Sequence, residues 1–150
     1  MSAPFAFAEI RTIKIGKDKE FVFTRKIEDS VITNEVKSFR DSGEENSVLI
    51  DKKVTNVLLN GYSVDNPYGI KAKNVELEVF LSASYKNFIN ALEDKIHKTF
   101  KSRIFFSSNM LASFVFARDV FSLSKESIIL DISEENTEIV FSKSGYMAST

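Results

Sequence analysis

The chain has no cysteine and no tryptophan, a single histidine, two prolines and five glycines in 150 residues. Without cysteine there is no disulfide framework, no thiolate metal site and no thiol nucleophile, which fits a reducing compartment. With His97 alone, neither a histidine-based triad nor a multi-histidine metal centre can form. No Asp/Glu/Cys cluster is spaced around His97, so it reads as an ordinary helix-edge residue. An excess of either charge is lacking too. Lys and Arg number 20 against 21 Asp and Glu, a formal net charge of −1, so the concentrated basic face that nucleic acid requires is not expected. Long apolar runs are missing as well. Met110 to Ala117 is interrupted by Ser113 and falls far short of the roughly 20 residues that span a bilayer. Pro4 to Ile10 lacks the basic start of a signal peptide and runs into Glu9 and Arg11. A soluble, cytoplasmic chain that does not insert into a membrane is the expectation.

What is present is enough for one domain with a real core. Hydrophobic residues make up 43% of the chain, and 14 Phe supply much of the packing volume. The organising stretch is Val54 to Ser82. In its second half Val75, Leu77, Val79 and Leu81 share one face, with Glu76, Glu78 and Ser82 opposite, the period of a half-buried strand. Val54 to Tyr62 is a second strand, with Leu58 and Leu59 adjacent and cover expected on both faces. Between them Asp65-Asn66-Pro67-Tyr68-Gly69 has strong turn chemistry. The connection is too long for a tight hairpin, so an antiparallel pair with a protruding loop is expected. Tyr68 and Ile70 lie on that loop. They read either as an exposed anchor for a protein contact or as side chains folded back over the sheet edge.

Upstream, Phe5 to Ile15 reads as a strand with Arg11 and Lys14 at wetter positions. Gly16 to Lys19 reads as a turn, and Phe21 to Thr24 as a strand again. Asp29 or Ser30 can cap a helix carrying Ile32, Val36 and Phe39 and stopping before Gly43. Downstream, Ser84 can cap an amphipathic helix with Tyr85, Phe88, Ile89, Leu92, Ile96 and Phe100 on one stripe. Arg103 to Phe106 reads as a short strand. Ser107, Ser108 and Asn109 offer caps for a helix to about Phe121, apolar on most sides and therefore expected between layers. Ser127 to Ile132 reads as a strand buried on both faces, and Thr137 to Phe141 as its partner.

Two segments resemble known families. Ile129 to Gly145, ILDISEENTEIVFSKSG, resembles the second phosphate motif of the actin-like ATPase superfamily, in which a strand ends in Asp, a Gly-rich turn carries Thr, and a second strand begins with an acidic residue. Asn66 to Ser84, NPYGIKAKNVELEVFLSAS, resembles the loop and strand of the small inserted SHS2 (1C) domain of FtsA-like cell-division proteins. In order and spacing the likeness covers roughly Val22 to Gly145. PilM, the actin-like protein of type IV pilus assembly, is the nearest rival.

The resemblance implies an α+β fold: an SHS2-like antiparallel sheet with amphipathic helices on one face, then a helix and an actin-like β-hairpin. The implied division is 1–106 for the inserted domain with its N-terminal strands and 107–150 for the connecting helix and hairpin. It implies a non-catalytic scaffold of the membrane-associated divisome, working through protein partners or self-association. The alternatives are a fragment of an active actin-like ATPase and, because SHS2 modules occur beside RNA polymerase, an RNA-binding module. By position Asp131 matches the family's Mg-associated Asp, and Ser133, Thr137 and Glu138 match the rest of the phosphate motif. Read from the residues alone, Asp131 simply ends a strand. The chain departs from the motif in two ways. It has no first phosphate loop of the DIG-(T/S) type, and Ser133, Glu134 and Glu135 stand where the family has glycines. Two carboxylates there repel a polyphosphate at roughly 1 kcal/mol per close pair in bulk water. No ATP or Mg is therefore expected on this chain, no metal site, and no catalytic residue.

Overall fold

A computed structural model describes residues 5–149 apart from 44, 102, 123–125, 133, 135–136 and 144; the side chains of 5, 6 and 149 are also outside the description. The fold is α+β, with two antiparallel sheets and three helices among the described residues. The first sheet holds β1 (Phe5–Val22), β2 (Ser47–Leu59), β3 (Tyr62–Ser63) and β4 (Lys71–Tyr85), in the order β1-β4-β2-β3. The alternating strand of the sequence is thus its central one. Arg11 opposes Val79 on one side of β4, and Val57 opposes Leu77 on the other.

β1 is a single strand. The expected turn at Gly16 to Lys19 is a bulge, with the register passing from Gly16 opposite Asn74 directly to Phe21 opposite Ala72. The antiparallel pairing of β2 and β4 follows the expectation. The connection between them adds a tight hairpin, in which Asn60 and Gly61 both take positive φ (51° and 87°), as a two-residue turn of this hand requires. Asn60 also accepts hydrogen bonds through Oδ1 from the backbone N–H groups of Lys73 and Asn74, at 3.0 and 3.1 Å.

Helix α1 (Arg25–Ser42) begins earlier than Asp29 or Ser30 suggested. Thr24, extended at the end of β1, is its N-cap and accepts from Ile27 N–H. Ile32 and Phe39 bury against Val75, Leu77, Val79 and Leu81 of β4. Arg11, expected at a wet position, lies on this same face and clamps α1 to β1. Its guanidinium donates to Glu9 (2.6 Å), Glu35 (2.7 Å), Ser38 (3.2 Å) and Ser42 (3.0 Å), and it sits 5.4 Å from the centre of the Phe39 ring.

The opposite face of β4 changes character along its length. Glu76 and Glu78 are partly exposed, whereas Phe80, Ser82 and Ser84 are buried. Phe80 is covered by a second layer: helix α3 (Asn109–Phe121) and a sheet of β5 (Ser127–Ile132), β6 (Thr137–Lys143) and β7 (Tyr146–Ser149), in that order. Phe80 packs there with Leu111, Phe114, Val140 and Met147. Helix α2 (Lys86–Thr99) follows β4 directly, and Tyr85, the last residue of the strand, takes the N-cap position in place of Ser84. Of its apolar stripe only Ile89 is buried. Arg103 to Phe106 forms no strand. Burial alternates along it, but among the described residues no strand pairs with it.

One buried carboxylate ties the two layers together. Asp51, near the start of β2, accepts from Ser82 Oγ (2.5 Å), Ser107 Oγ (2.8 Å) and Ser108 N–H (2.7 Å). Ser108 is itself fully buried and caps α3 by accepting from Leu111 N–H at 3.2 Å. At the far end Tyr146 donates to Asp65 at 2.7 Å, joining β7 to the β3–β4 loop.

Candidate functional site

Three places are candidates, two of them read from the sequence, and the structure separates them. The first is the acidic pair. Antiparallel register sets Asp131 directly opposite Glu138 on the face of the second sheet that turns toward α3. Asn109, in the first turn of α3, donates its side-chain amide to Asp131 and reaches Glu138 Oε2 at 3.5 Å. Asp131 and Glu138 are thus brought together by the hairpin register. Thr137 is not with them: it opposes Ile132 and lies on the other face. Ser133 lies outside the described residues. Among the described residues no group of three or more His, Cys, Asp or Glu gathers to hold a metal ion.

Partial burial raises the Glu138 carboxyl above its ordinary value, and the Asp131 charge adds to the rise; the Asn109 hydrogen bond works against it. A carboxyl raised in the folded state costs nothing at pH values where both states are protonated. The cost grows as pH climbs through the carboxylate range and is complete above the folded value. Glu138→Gln is therefore expected to stabilise the chain at pH 7, by roughly the 0.2–1 kcal/mol typical of a directly opposed like-charge pair. Thermal melts of both proteins should converge at pH 3. A variant less stable than the parent at pH 7 would contradict this electrostatic account.

The second place is the loop. Tyr68 is half-buried, stacks on Phe23 with ring centres 6.0 Å apart, and donates to Glu28 at 3.1 Å. Arg25 lies 5.0 Å from the centre of its ring. Burial, with the Glu28 charge second, pushes its phenol upward. Ile70 remains 41% exposed, its backbone pinned to Phe23 by a hydrogen bond of 2.9 Å. Of the two side chains, Tyr68 has folded back. Tyr68→Ser should lower stability by about 2–3 kcal/mol, as loss of a packed aromatic does. Ile70→Ser should stay within about 0.5 kcal/mol, as exposed positions do. Melting curves of the two single variants check this, and equal effects would sink the distinction.

The third place was not recognised from the sequence. β5 buries one face only. Ile129 turns inward, while Ile128, Leu130 and Ile132 are exposed and align with Ile139 and Phe141 of β6. On α3 the outward Phe116, Val120 and Phe121 are also exposed. The signal was present as the parity of Ile139 and Phe141. An unbroken apolar run in β5 concealed which face was covered.

No protein-family model matches this chain, and no curated protein matches it. No helix among the described residues is long and apolar enough to cross a membrane.

Proposed function

We propose that this chain is a non-catalytic protein-interaction module, a scaffold element of an FtsA-like cell-division protein. The observation that carries the reading is the apolar surface on the second layer. Large apolar side chains cluster on the outer side of α3 and on the outer face of β5 and β6, and contiguous exposed patches of this kind mark interaction sites. Glu134 and Glu135, standing in the sequence where the phosphate motif has glycines, support the non-catalytic half of the reading, since two carboxylates there oppose a polyphosphate. Installing a photo-reactive phenylalanine analogue at Phe116, and separately at Ile70, tests the interaction in cells. Discrete adducts with other protein chains are expected from at least one site, and cross-links confined within the chain would overturn the reading.

An actin-like ATPase fragment, from a division or pilus-assembly protein, is the second reading. It is favoured by the meeting of Asp131, Glu138 and Asn109 at the start of α3. Calorimetric titration with Mg-ATP decides between the two. No saturable heat is expected at submillimolar nucleotide, and micromolar binding would favour the ATPase.

A further inference from the structure

We propose that the outer face of the second sheet is a homotypic interface, on which a second copy of this chain stacks about a twofold axis passing near the Leu130–Ile139 pair. The inference rests on the interaction-module reading and names the partner of one of its surfaces.

The face is defined by register. Ile128 opposes Phe141, Leu130 opposes Ile139 and Ile132 opposes Thr137, so these side chains share the side turned away from α3. Exposures are 61% for Ile128, 56% for Leu130, 73% for Ile132, 38% for Ile139 and 43% for Phe141. No charged residue falls among them. Glu126 and Lys143, paired at 3.8 Å, close one end of the face; Thr137 lies at the other end, where exposed Glu134 follows two residues after Ile132.

Three observations favour a second copy over another occupant. First, shape. At the Glu126–Lys143 end, Ile128, Phe141 and Ala148 line an open groove of about 400 Å³. At the opposite end Ile132 is the most exposed of the five. Ile128 and Ile132 are four residues apart, about 13 Å along a strand, with Leu130 midway. A twofold axis at Leu130 sets the Ile132 of each copy over the groove of the other, and a self-complementary patch of this kind is what a closed twofold dimer requires. Secondly, area. At roughly 150–250 Å² for a large side chain, the five exposures amount to about 500 Å² per copy. Two apposed faces bury about 1,000 Å² from these residues alone, and Thr137, Ala148 and the rim bring the total into the range of about 1,200–2,000 Å² that specific interfaces bury. Thirdly, charge. A formal net charge of −1 per chain gives two copies little cause to repel. Sheets stacked face to face at about 10 Å with nearly aligned strands are an ordinary packing.

Sedimentation velocity of the 150-residue chain across the micromolar range tests the proposal. A concentration-dependent dimer is expected. Leu130→Glu and Leu130→Lys each place like charges against themselves at the axis, so each variant should be monomeric with the parent's circular dichroism, its dimer dissociation constant raised at least tenfold. Mixed together, the two should form a one-to-one heterodimer, which only an axis at this residue produces. If either fails to fold, Ile132→Lys at the most exposed position takes its place and should also give monomer. A parent chain that stays monomeric or forms only heterogeneous aggregates overturns the proposal. So does a folded Leu130 or Ile132 charge variant that still dimerises, and so does a mixture that stays monomeric. A monomeric parent that nonetheless yields adducts with other proteins from Phe116 or Ile70 would remove the homotypic interface and leave the module reading standing.

Discussion

Replacing Asp51 with alanine should destabilise the fold by about 2–6 kcal/mol in urea unfolding, the cost of leaving two buried donors without an acceptor. The carboxylate accepts three hydrogen bonds, from Ser82 Oγ, Ser107 Oγ and Ser108 N–H. Ser82 and Ser108 are fully buried. Alanine would leave their donors without an acceptor in a place that water does not reach, at about 1–3 kcal/mol for each orphaned group. The damage should be directional. Ser108 is the N-cap of α3, so hydrogen exchange at the amides of Met110 to Ala112 should accelerate before that of the β1–β4 ladder. Asp51→Asn should fall between parent and alanine, because an amide offers one acceptor oxygen instead of two. An alanine variant within 1 kcal/mol of the parent would show that the network is not a structural tie.

Phe80→Ala should have an effect of similar size, about 3–5 kcal/mol, by a different route. Phe80 is wholly buried between β4 and the second layer, where Leu111, Phe114, Val140 and Met147 surround it. Removing the ring opens a cavity in the cluster that joins the two sheets. Beyond a lower midpoint, the expected outcome is faster exchange in β6 than in β4, and a broadened transition if the layers begin to unfold separately. Phe80 lies two residues from Ser82, and Asp51 opposes Ser82 in the ladder. The two substitutions therefore share neighbours and should not add. Strict additivity would mean that the polar tie and the apolar cluster act independently.

Elements governed by their own residues were legible in the sequence. The alternation from Val75 to Leu81 identified the central strand, because one face of it is covered at every step. Ile32 and Phe39 identified the buried side of α1. What escaped depended on neighbours far along the chain. Ser82 reads as a solvent-facing residue after Glu76 and Glu78, until α3 and the second sheet cover that face. Asp51 within Val48 to Val57 was the available signal that a buried donor had to be nearby. Arg11 reads as wet because nothing local shows that Glu35, Ser38 and Ser42 will arrive from α1. In the candidate site, the two strands of the hairpin were legible, and the meeting of Asp131 with Glu138 follows from their register. The apolar outer face was not legible, since an unbroken run such as Ile128 to Leu130 carries no information about which side is covered.

The central position of β4 also governs how this chain acquires its structure in time. Its partner β2 precedes it closely, and the Asn60–Gly61 turn with its Asn74 contact shortens the effective loop between them further. β1 is different: Arg11 finds Val79 only after α1, β2 and the loop have been traversed. Closing that long loop is entropically the later event. A nucleus of β2, β3 and β4, with β1 zipping on afterwards under α1, is the order this connectivity favours. Trimming Ile13 on β1 should then accelerate unfolding in stopped-flow experiments and leave the refolding rate nearly unchanged, whereas trimming Val57 on β2 should slow refolding. The longest strand of the protein is, on this view, the last to be secured and the first to be released.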